Sequence, residues 1–152
     1  MKASLLEAWN TNLRVTEHLF DLLRDEDLKL RYAPRVRSIG LTVIHLHNVR
    51  RRWLGADGEM PASVSKIDRK ASMTVPQLRT ALQTSGRAVG KFLEQVAQTG
   101  AIPHYRGHPV TFLGYMLAHE AHHRGHILAT LRVHGHPAPS ESIYQLWEWD
   151  LE

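Results

Sequence analysis

Residues 110–134 read VTFLGYMLAHEAHHRGHILATLRVH, and this stretch decides the fold because it has the periodicity of one long helix. At about 100° of rotation per residue, Phe112 and Ile127 fall on one apolar stripe, and His119 and His123 lie near its centre. An (i, i+4) pair of histidines is the usual way in which a helix presents two nitrogen ligands to one metal ion. The stretch therefore predicts a helix whose buried face carries two candidate metal ligands.

The rest of the chain also has helical periodicity, and it predicts the fold class. Further helices are expected at about residues 3–24, 39–54 and 74–100. The third begins with Thr74-Val75-Pro76-Gln77, which has the spacing of a capping box with proline in the first turn. Four helices with no strand pattern predict an all-α fold, an antiparallel four-helix bundle that forms one domain over residues 1–152.

Two segments outside these helices complete the expected architecture. Residues 56–74 have no sustained period and predict a long connection between the second and third helices. The aromatic segment from Tyr144 to Trp149 predicts a short C-terminal helical tail that packs on the bundle. The polar stretch from Asp25 to Ser38 is expected to connect the first two helices.

Composition limits the kind of site and its compartment. The 152 residues are 43% hydrophobic, which is enough for a real core, and they include no cysteine. Any metal must therefore be held by His, Asp or Glu. The sequence has no stretch of about 18 apolar residues that could cross a membrane. Its N-terminal segment becomes polar again at Glu7, too early for the hydrophobic region of a signal peptide, so we expect a cytoplasmic protein with no membrane partner. The net charge of +4 is too small to indicate nucleic-acid binding by itself.

The second helix adds a third inward imidazole. On the helical wheel His45 lies on the side of Val49, whereas His47 is predicted to face away with Arg51. Neutral rings buried together must each satisfy a donor and an acceptor, and charged rings would repel one another. One divalent cation bound by His45, His119 and His123 removes both problems and leaves coordination positions open, as in catalytic metal sites. Three imidazoles suit zinc, nickel, iron or copper, and we expect zinc, nickel or iron.

These motifs resemble the DinB/YfiT-like family of metal-binding four-helix-bundle proteins. The segments that carry the resemblance are Ser38-Ile39-Gly40, His45-Leu46-His47-Asn48-Val49-Arg50, Trp53-Leu54 and His119 to Ile127. The resemblance implies that His45, His119 and His123 are the metal ligands. It also implies a homodimer and, in some branches, a thiol-dependent transferase or hydrolase that uses a low-molecular-weight thiol. Where the family commonly has Arg-Gly-Gln, this chain has Arg124-Gly125-His126.

Several roles stay open at this point. His126, Asn48 and Arg52 are candidate pocket residues that contact a small-molecule substrate or relay a proton, and the contributions of His122 and His47 are open. The alternative functions are a zinc metalloprotease, because His119-Glu120-Ala121-His122-His123 matches H-E-x-x-H, and a non-enzymatic protein stapled by its metal.

Apolar residues on nearly every side of the fourth helix support the expected homodimer. Four leucines lie off the metal-facing stripe, and one bundle core is not expected to cover them all: Leu113, Leu117, Leu128 and Leu131. Arg50 and Arg51 are expected to form a solvated helix face.

Overall fold

Helices dominate the computed structural model, which describes residues 2–55 and 61–149. The elements are α1 (Lys2–Asp21), a short 3₁₀ helix (Asp25–Lys29), α2 (Ile39–Leu54), α3 (Val75–Thr99), α4 (Pro109–Val133) and α5 (Ser140–Gln145). Within these ranges the only extended pairings are two isolated bridges, Arg31 with Ser38 and Ile102 with Tyr105. The prediction of an all-α fold is confirmed.

Most helix ends lie where capping residues predict them. The Ser38 side chain accepts a hydrogen bond from the amide of Leu41 at the start of α2. Thr74 and Gln77 form the predicted capping box of α3. Gly100 ends α3 with a φ of 72°, a left-handed conformation that glycine adopts without a Cβ penalty.

Three elements differ from the predictions. The helix α1 ends at Asp21 rather than near residue 24, because the amides of Leu22 and Leu23 turn to the carbonyls three residues before them. Residues 25–29 form a 3₁₀ helix inside the predicted connection. The C-terminal helix α5 begins at Ser140, upstream of the predicted aromatic tail, and Trp147 is exposed.

Two apolar clusters, one toward each end of the long helices, make up the core. All four long helices contribute to each cluster. The first cluster includes, in the order α1 to α4, Trp9, Leu54, Phe92 and Phe112. The second includes, in the same order, Phe20, Ile44, Leu78 and Ile127. The helices α1 and α4 therefore run from the first cluster to the second, and α2 and α3 run from the second to the first.

The antiparallel prediction is therefore wrong for the α2–α3 pair, which runs in one direction. The reason is the connection between these helices. Val64 is buried in the first cluster, and Ile67 and Met73 pack on the second. The connection thus returns the chain along the length of the helices before α3 begins, as a parallel helix pair requires.

The leucines cited for a dimer are wholly or partly covered by their own chain. Leu113 and Leu131 are buried, and Leu117 and Leu128 are half-buried. The homodimer stays a prediction, but these side chains do not support it. None of the helices in residues 2–55 and 61–149 has both the length and the apolar character that a membrane crossing needs.

Candidate metal centre

Three histidines from α2 and α4 meet between the two apolar clusters. The Nε2 atoms of His45 and His119 lie 3.2 Å apart. The ring centroid of His123 is 4.9 Å from that of His45 and 4.6 Å from that of His119. One nitrogen of each ring lies within 4.8 Å of the others, so the three side chains are close enough to hold one metal ion. His123 is buried, and the other two rings are half-buried.

The electrostatic environment keeps these rings neutral. Burial lowers the pKa of His45 to about 4, and the charges of Arg37, His119, Arg52 and Arg69 add to this effect. Burial likewise lowers the pKa of His123 to about 3, with further lowering by its histidine neighbours. Burial also lowers the pKa of His119, against an opposing effect of Glu120. Neutral imidazoles keep the lone pairs that a metal ion requires.

The donor set fits a divalent transition metal. Two imidazole nitrogens at 2.0–2.1 Å from a tetrahedral zinc ion stand about 3.3 Å apart, close to the separation of the His45 and His119 Nε2 atoms. The buried Nδ1 atoms of His119 and His123 have no hydrogen-bond partner in the described part of the chain. Buried polar atoms without partners are costly in a native fold, and an ion would remove that cost for one nitrogen of each ring. The Nδ1 atom of His119 lies across its ring from the Nε2 atom that faces His45, so the same ion does not account for it.

A buried ion pair lies beside the triad and joins α2 to α4. Arg50 Nε donates to Glu120 Oε1 at 2.6 Å, and Arg50 Nη2 donates to Glu120 Oε2 at 2.8 Å. Asn12 Nδ2 donates to the same Oε2 atom at 2.6 Å. Arg50 also donates through Nη1 to the carbonyl of Leu82 on α3, at 2.7 Å. A bidentate Arg–carboxylate contact is geometrically specific, so it ties the rotation of α4 to α2.

A second buried arginine extends this network to α1. Arg124 Nη1 donates to Asn12 Oδ1 at 2.8 Å and to Thr16 Oγ1 at 3.0 Å. Because Glu120 and Arg124 directly follow His119 and His123 along α4, the contacts that hold these two residues also aim the two histidines toward His45.

The comparison with protein families agrees with this arrangement. The family model described as "DinB family" matches residues 1–151. The chain belongs to the DinB family. No curated protein and no solved structure gives a significant match to this DinB-family chain. The family resemblance inferred from the motifs in α2 and α4 is confirmed.

Glu120 cannot serve this DinB-family protein as the general base of an H-E-x-x-H protease. Its side chain is 1% exposed, and both carboxylate oxygens accept hydrogen bonds from Arg50 or Asn12. The predicted solvated face is also wrong for Arg50, which is 1% exposed. The metalloprotease alternative therefore lacks the base that its mechanism requires.

His47 does not face solvent, contrary to the prediction. Its side chain is buried, with Nε2 2.8 Å from the carbonyl oxygen of Ser65 and Nδ1 3.1 Å from that of Ala81. It therefore bridges α3 and the connection and lies outside the triad, which answers the question that the sequence left open. His122 is exposed, and its ring centroid lies 5.0 Å from that of His123.

The three candidate pocket residues have different surroundings. Asn48 donates to the carbonyl of Ile67 at 2.9 Å and accepts from the Ile67 amide at 3.1 Å, so both ends of its amide contact the connection, and its substrate role stays a prediction. Arg52 is exposed, and its charge acts on His45 and His119. His126 is half-buried, and its ring forms a T-shaped pair with that of Tyr32 at 6.2 Å between centroids. Its substrate role stays a prediction.

Proposed function

We propose that this DinB-family protein binds one divalent metal ion through His45, His119 and His123 and uses it in a transferase or hydrolase reaction on a small electrophile. The observation that carries the proposal is the convergence of three neutral imidazoles from two helices. The ion is zinc, nickel or iron, since these accept imidazole ligands and the chain contains no thiolate.

The chemistry follows from a three-histidine donor set with open positions. A bound divalent ion supplies Lewis acidity that lowers the pKa of a coordinated water or thiol, so that the nucleophile is an anion near neutral pH. The histidine rings contribute neutral nitrogen donors, and the Arg50–Glu120 pair holds their helices in position. His126, one turn beyond His122, is the side chain we propose for orienting the second reactant.

We further propose that the four long helices form a bundle around this site. Support comes from the two apolar clusters, each of which draws on α1, α2, α3 and α4. The polar residues between the clusters then lie in one layer, at the same level as the histidine triad. Distance measurements between spin labels on exposed positions of the four helices test the arrangement.

Elemental analysis of purified, untagged protein tests the metal proposal. The wild-type protein should carry about one divalent ion per chain, and His45→Ala, His119→Ala and His123→Ala should each lose most of it. His122→Ala is the matched control, because His122 adjoins the triad but is exposed. Full occupancy in any of the three ligand variants would contradict the assignment of that residue.

A reaction screen tests the enzymatic part separately. Metal-loaded protein is incubated with common low-molecular-weight thiols and a panel of small electrophiles, and product formation is followed by mass spectrometry. We expect a metal-dependent product that His123→Ala does not form. If metal-loaded protein turns over none of these pairs and binds none of them by calorimetry, the alternative of a metal-stapled binding protein replaces the enzymatic proposal.

A further inference from the structure

We infer that a cavity between α1 and α3 binds a small carboxylate with a short apolar chain. The cavity has a volume of about 170 Å³, and none of the described residues that line it belongs to the histidine triad. The inference goes beyond the proposed function and is independent of it, because the site needs no metal ion. It rests on the arginines that line the cavity and on an excess of buried positive charge beside it.

The cavity reaches the buried guanidinium group of Arg50. Arg50 is 1% exposed, and it lines the cavity together with Leu13 of α1 and Leu82 of α3. Its Nη1 atom donates to the carbonyl of Leu82 at 2.7 Å. A Cβ atom at Gly86 of α3 would lie 3.2 Å from this Nη1 atom and 2.6 Å from the Leu13 side chain. The Nη1 end of Arg50 therefore lies between α1 and α3, where the cavity is, and glycine at position 86 leaves room for it.

Arg50 has a hydrogen-bond donor left for a ligand in this cavity. Its Nε and Nη2 atoms donate to Glu120, and one N–H group of Nη1 donates to the Leu82 carbonyl. The second N–H group of Nη1 has no acceptor among the residues that the structure describes. A carboxylate oxygen in the cavity can accept this bond, and a hydrogen bond between two charged groups is stronger than one between neutral groups.

The buried network around Arg50 carries more positive than negative charge. It contains the guanidinium groups of Arg50 and Arg124 and the single carboxylate of Glu120. Thr16, which accepts a hydrogen bond from Arg124 at 3.0 Å, also lines the cavity. The cavity therefore borders the network on the Arg50 side and on the Arg124 side. Buried charge without a counter-charge is costly, and an anion in the cavity supplies the missing negative charge.

Two further arginines line the cavity, one from each helix. Arg14 of α1 is half-buried, and Arg87 of α3 is exposed. Neither forms an ion pair with another residue in the ranges 2–55 and 61–149. Glu17 is the one acid among the described lining residues, and it already contacts Arg79 at 3.7 Å and accepts from Gln83 at 3.1 Å. The charges around the cavity therefore favour an anion.

The walls and the volume of the cavity indicate which anion fits. The side chains of Leu13 and Leu82 supply apolar walls, which an apolar chain covers better than a bare inorganic ion does. The volume is below the roughly 300–1,000 Å³ of pockets that hold drug-sized ligands, so the chain must be short. A planar guanidinium group matches a carboxylate in geometry. These features together favour a short-chain monocarboxylate.

Calorimetric titration of the full-length protein with butyrate and with butyramide tests this inference. The two probes are similar in size and differ in charge. We expect the wild type to bind butyrate at least about tenfold more tightly than butyramide. Arg14→Gln and Arg87→Gln should each lower the butyrate affinity roughly two- to fivefold and leave the butyramide affinity unchanged. Arg35→Gln is the matched control, because it removes an equal charge from an exposed position outside the cavity and should not change either affinity.

Two further titrations separate this cavity from other anion sites. Inorganic phosphate should bind more weakly than butyrate, and His123→Ala, which lacks one triad ring, should bind butyrate as the wild type does. The inference is wrong if butyrate and butyramide bind equally, if neither binds, if phosphate binds more tightly, or if the double variant of Arg14→Gln and Arg87→Gln keeps the wild-type affinity. Loss of butyrate binding in His123→Ala would also overturn it, since the carboxylate would then lie at the triad. The zinc content of the histidine variants tests the metal proposal alone.

Discussion

Glu120 and Arg50 form a buried ion pair that balances charge inside the molecule. Both side chains are 1% exposed, and each lies beside an apolar cluster, where an unpaired charge is strongly unfavourable. Burial by itself raises the pKa of Glu120, but the charge and hydrogen bonds of Arg50, with that of Asn12, lower it overall. The carboxylate is therefore ionised, and it balances two buried guanidinium groups, those of Arg50 and Arg124.

Glu120→Gln should destabilise the protein by about 3–5 kcal/mol, because it leaves both buried arginines without a counter-charge. Urea denaturation at pH 7 measures the free energy of unfolding. Glu17→Gln is the control, since Glu17 forms an ion pair with the partly exposed Arg79. Loss of this ion pair should lower the free energy of unfolding by less than about 1 kcal/mol. A change below 1 kcal/mol for Glu120→Gln would show that the pair is not needed for stability.

Asp27 offers a pH-dependent test at the same scale. Burial alone raises the pKa of Asp27, but hydrogen bonds from the Arg24 side chain and backbone and from His136 outweigh it and lower the pKa below its ordinary value of 3.8. A lowered carboxyl pKa contributes stability that is present above the unfolded-state pKa and is lost as the pH falls through the folded-state value. The advantage of the wild type over Asp27→Asn should thus be largest above about pH 5.

Denaturation of both proteins between pH 3 and pH 7 measures this advantage, which we expect to reach about 1.5–3 kcal/mol at pH 7 and to shrink below about pH 4. Glu26→Gln is the matched control, because Glu26 contacts the same Arg24 but is well exposed. A stability difference that stays constant across the range would show that the charge of Asp27 does not contribute.

At the scale of elements, α2 shows which parts of the site could be predicted from helical periodicity. The wheel correctly placed His45 inward, on the side that meets α4. Arg50 and His47 lie at about 140° and 200° from His45, and Val43 and Leu54 lie between them at about 160° and 180°. These positions form a second buried side. Two buried sides were therefore visible in the sequence, but the assumption of one apolar stripe assigned the second to solvent.

On α4 the same assumption obscured the ion pair. Glu120 and Arg124 lie at about 100° and 140° from His119, among the leucines that the sequence offers as a dimer surface. A carboxylate on one apolar face and an arginine on another are a signal for a buried pair. What no periodicity could predict is the partner choice, since Asn12 and Glu120 are 108 positions apart in sequence. The contacts of the connection with His47 and Asn48 are equally non-local.

The two hydrogen bonds between Asn48 and Ile67, here called the Asn48 clamp, give a prediction for the connection. Asn48→Ala removes both hydrogen bonds to Ile67, and we expect a loss of about 1–3 kcal/mol in the free energy of unfolding, with faster amide exchange at Ile67 and its neighbours. Zinc content should be unchanged, because Asn48 is not a ligand in the proposal. Lys66→Ala, at an exposed neighbouring position, should change stability by less than about 0.5 kcal/mol. Unchanged exchange at Ile67 would show that the clamp does not hold the connection.

At the scale of the whole molecule, the two apolar clusters fix the height of the site along the helices. Each of the four long helices passes from one cluster to the other, so the middles of all four lie between the clusters. The polar residues of this level divide into a dry part, with the Arg50–Glu120 pair, and a part with the histidine triad, where the rings of His45 and His119 are half-buried. The long connection, which periodicity identified only as irregular, is what permits this order.

A metal ion at that level joins α2 to α4, so its binding should stabilise the fold as a whole. The unfolded chain does not hold the three rings together, and zinc at about 1,000 times its dissociation constant should then add about 4 kcal/mol to the free energy of unfolding. Thermal denaturation with and without zinc measures this gain. His123→Ala should lose it, since His123 is the most buried ring of the three, and exposed His122→Ala should keep it. An equal gain in His123→Ala would show that His123 is not one of the ligands that hold the zinc.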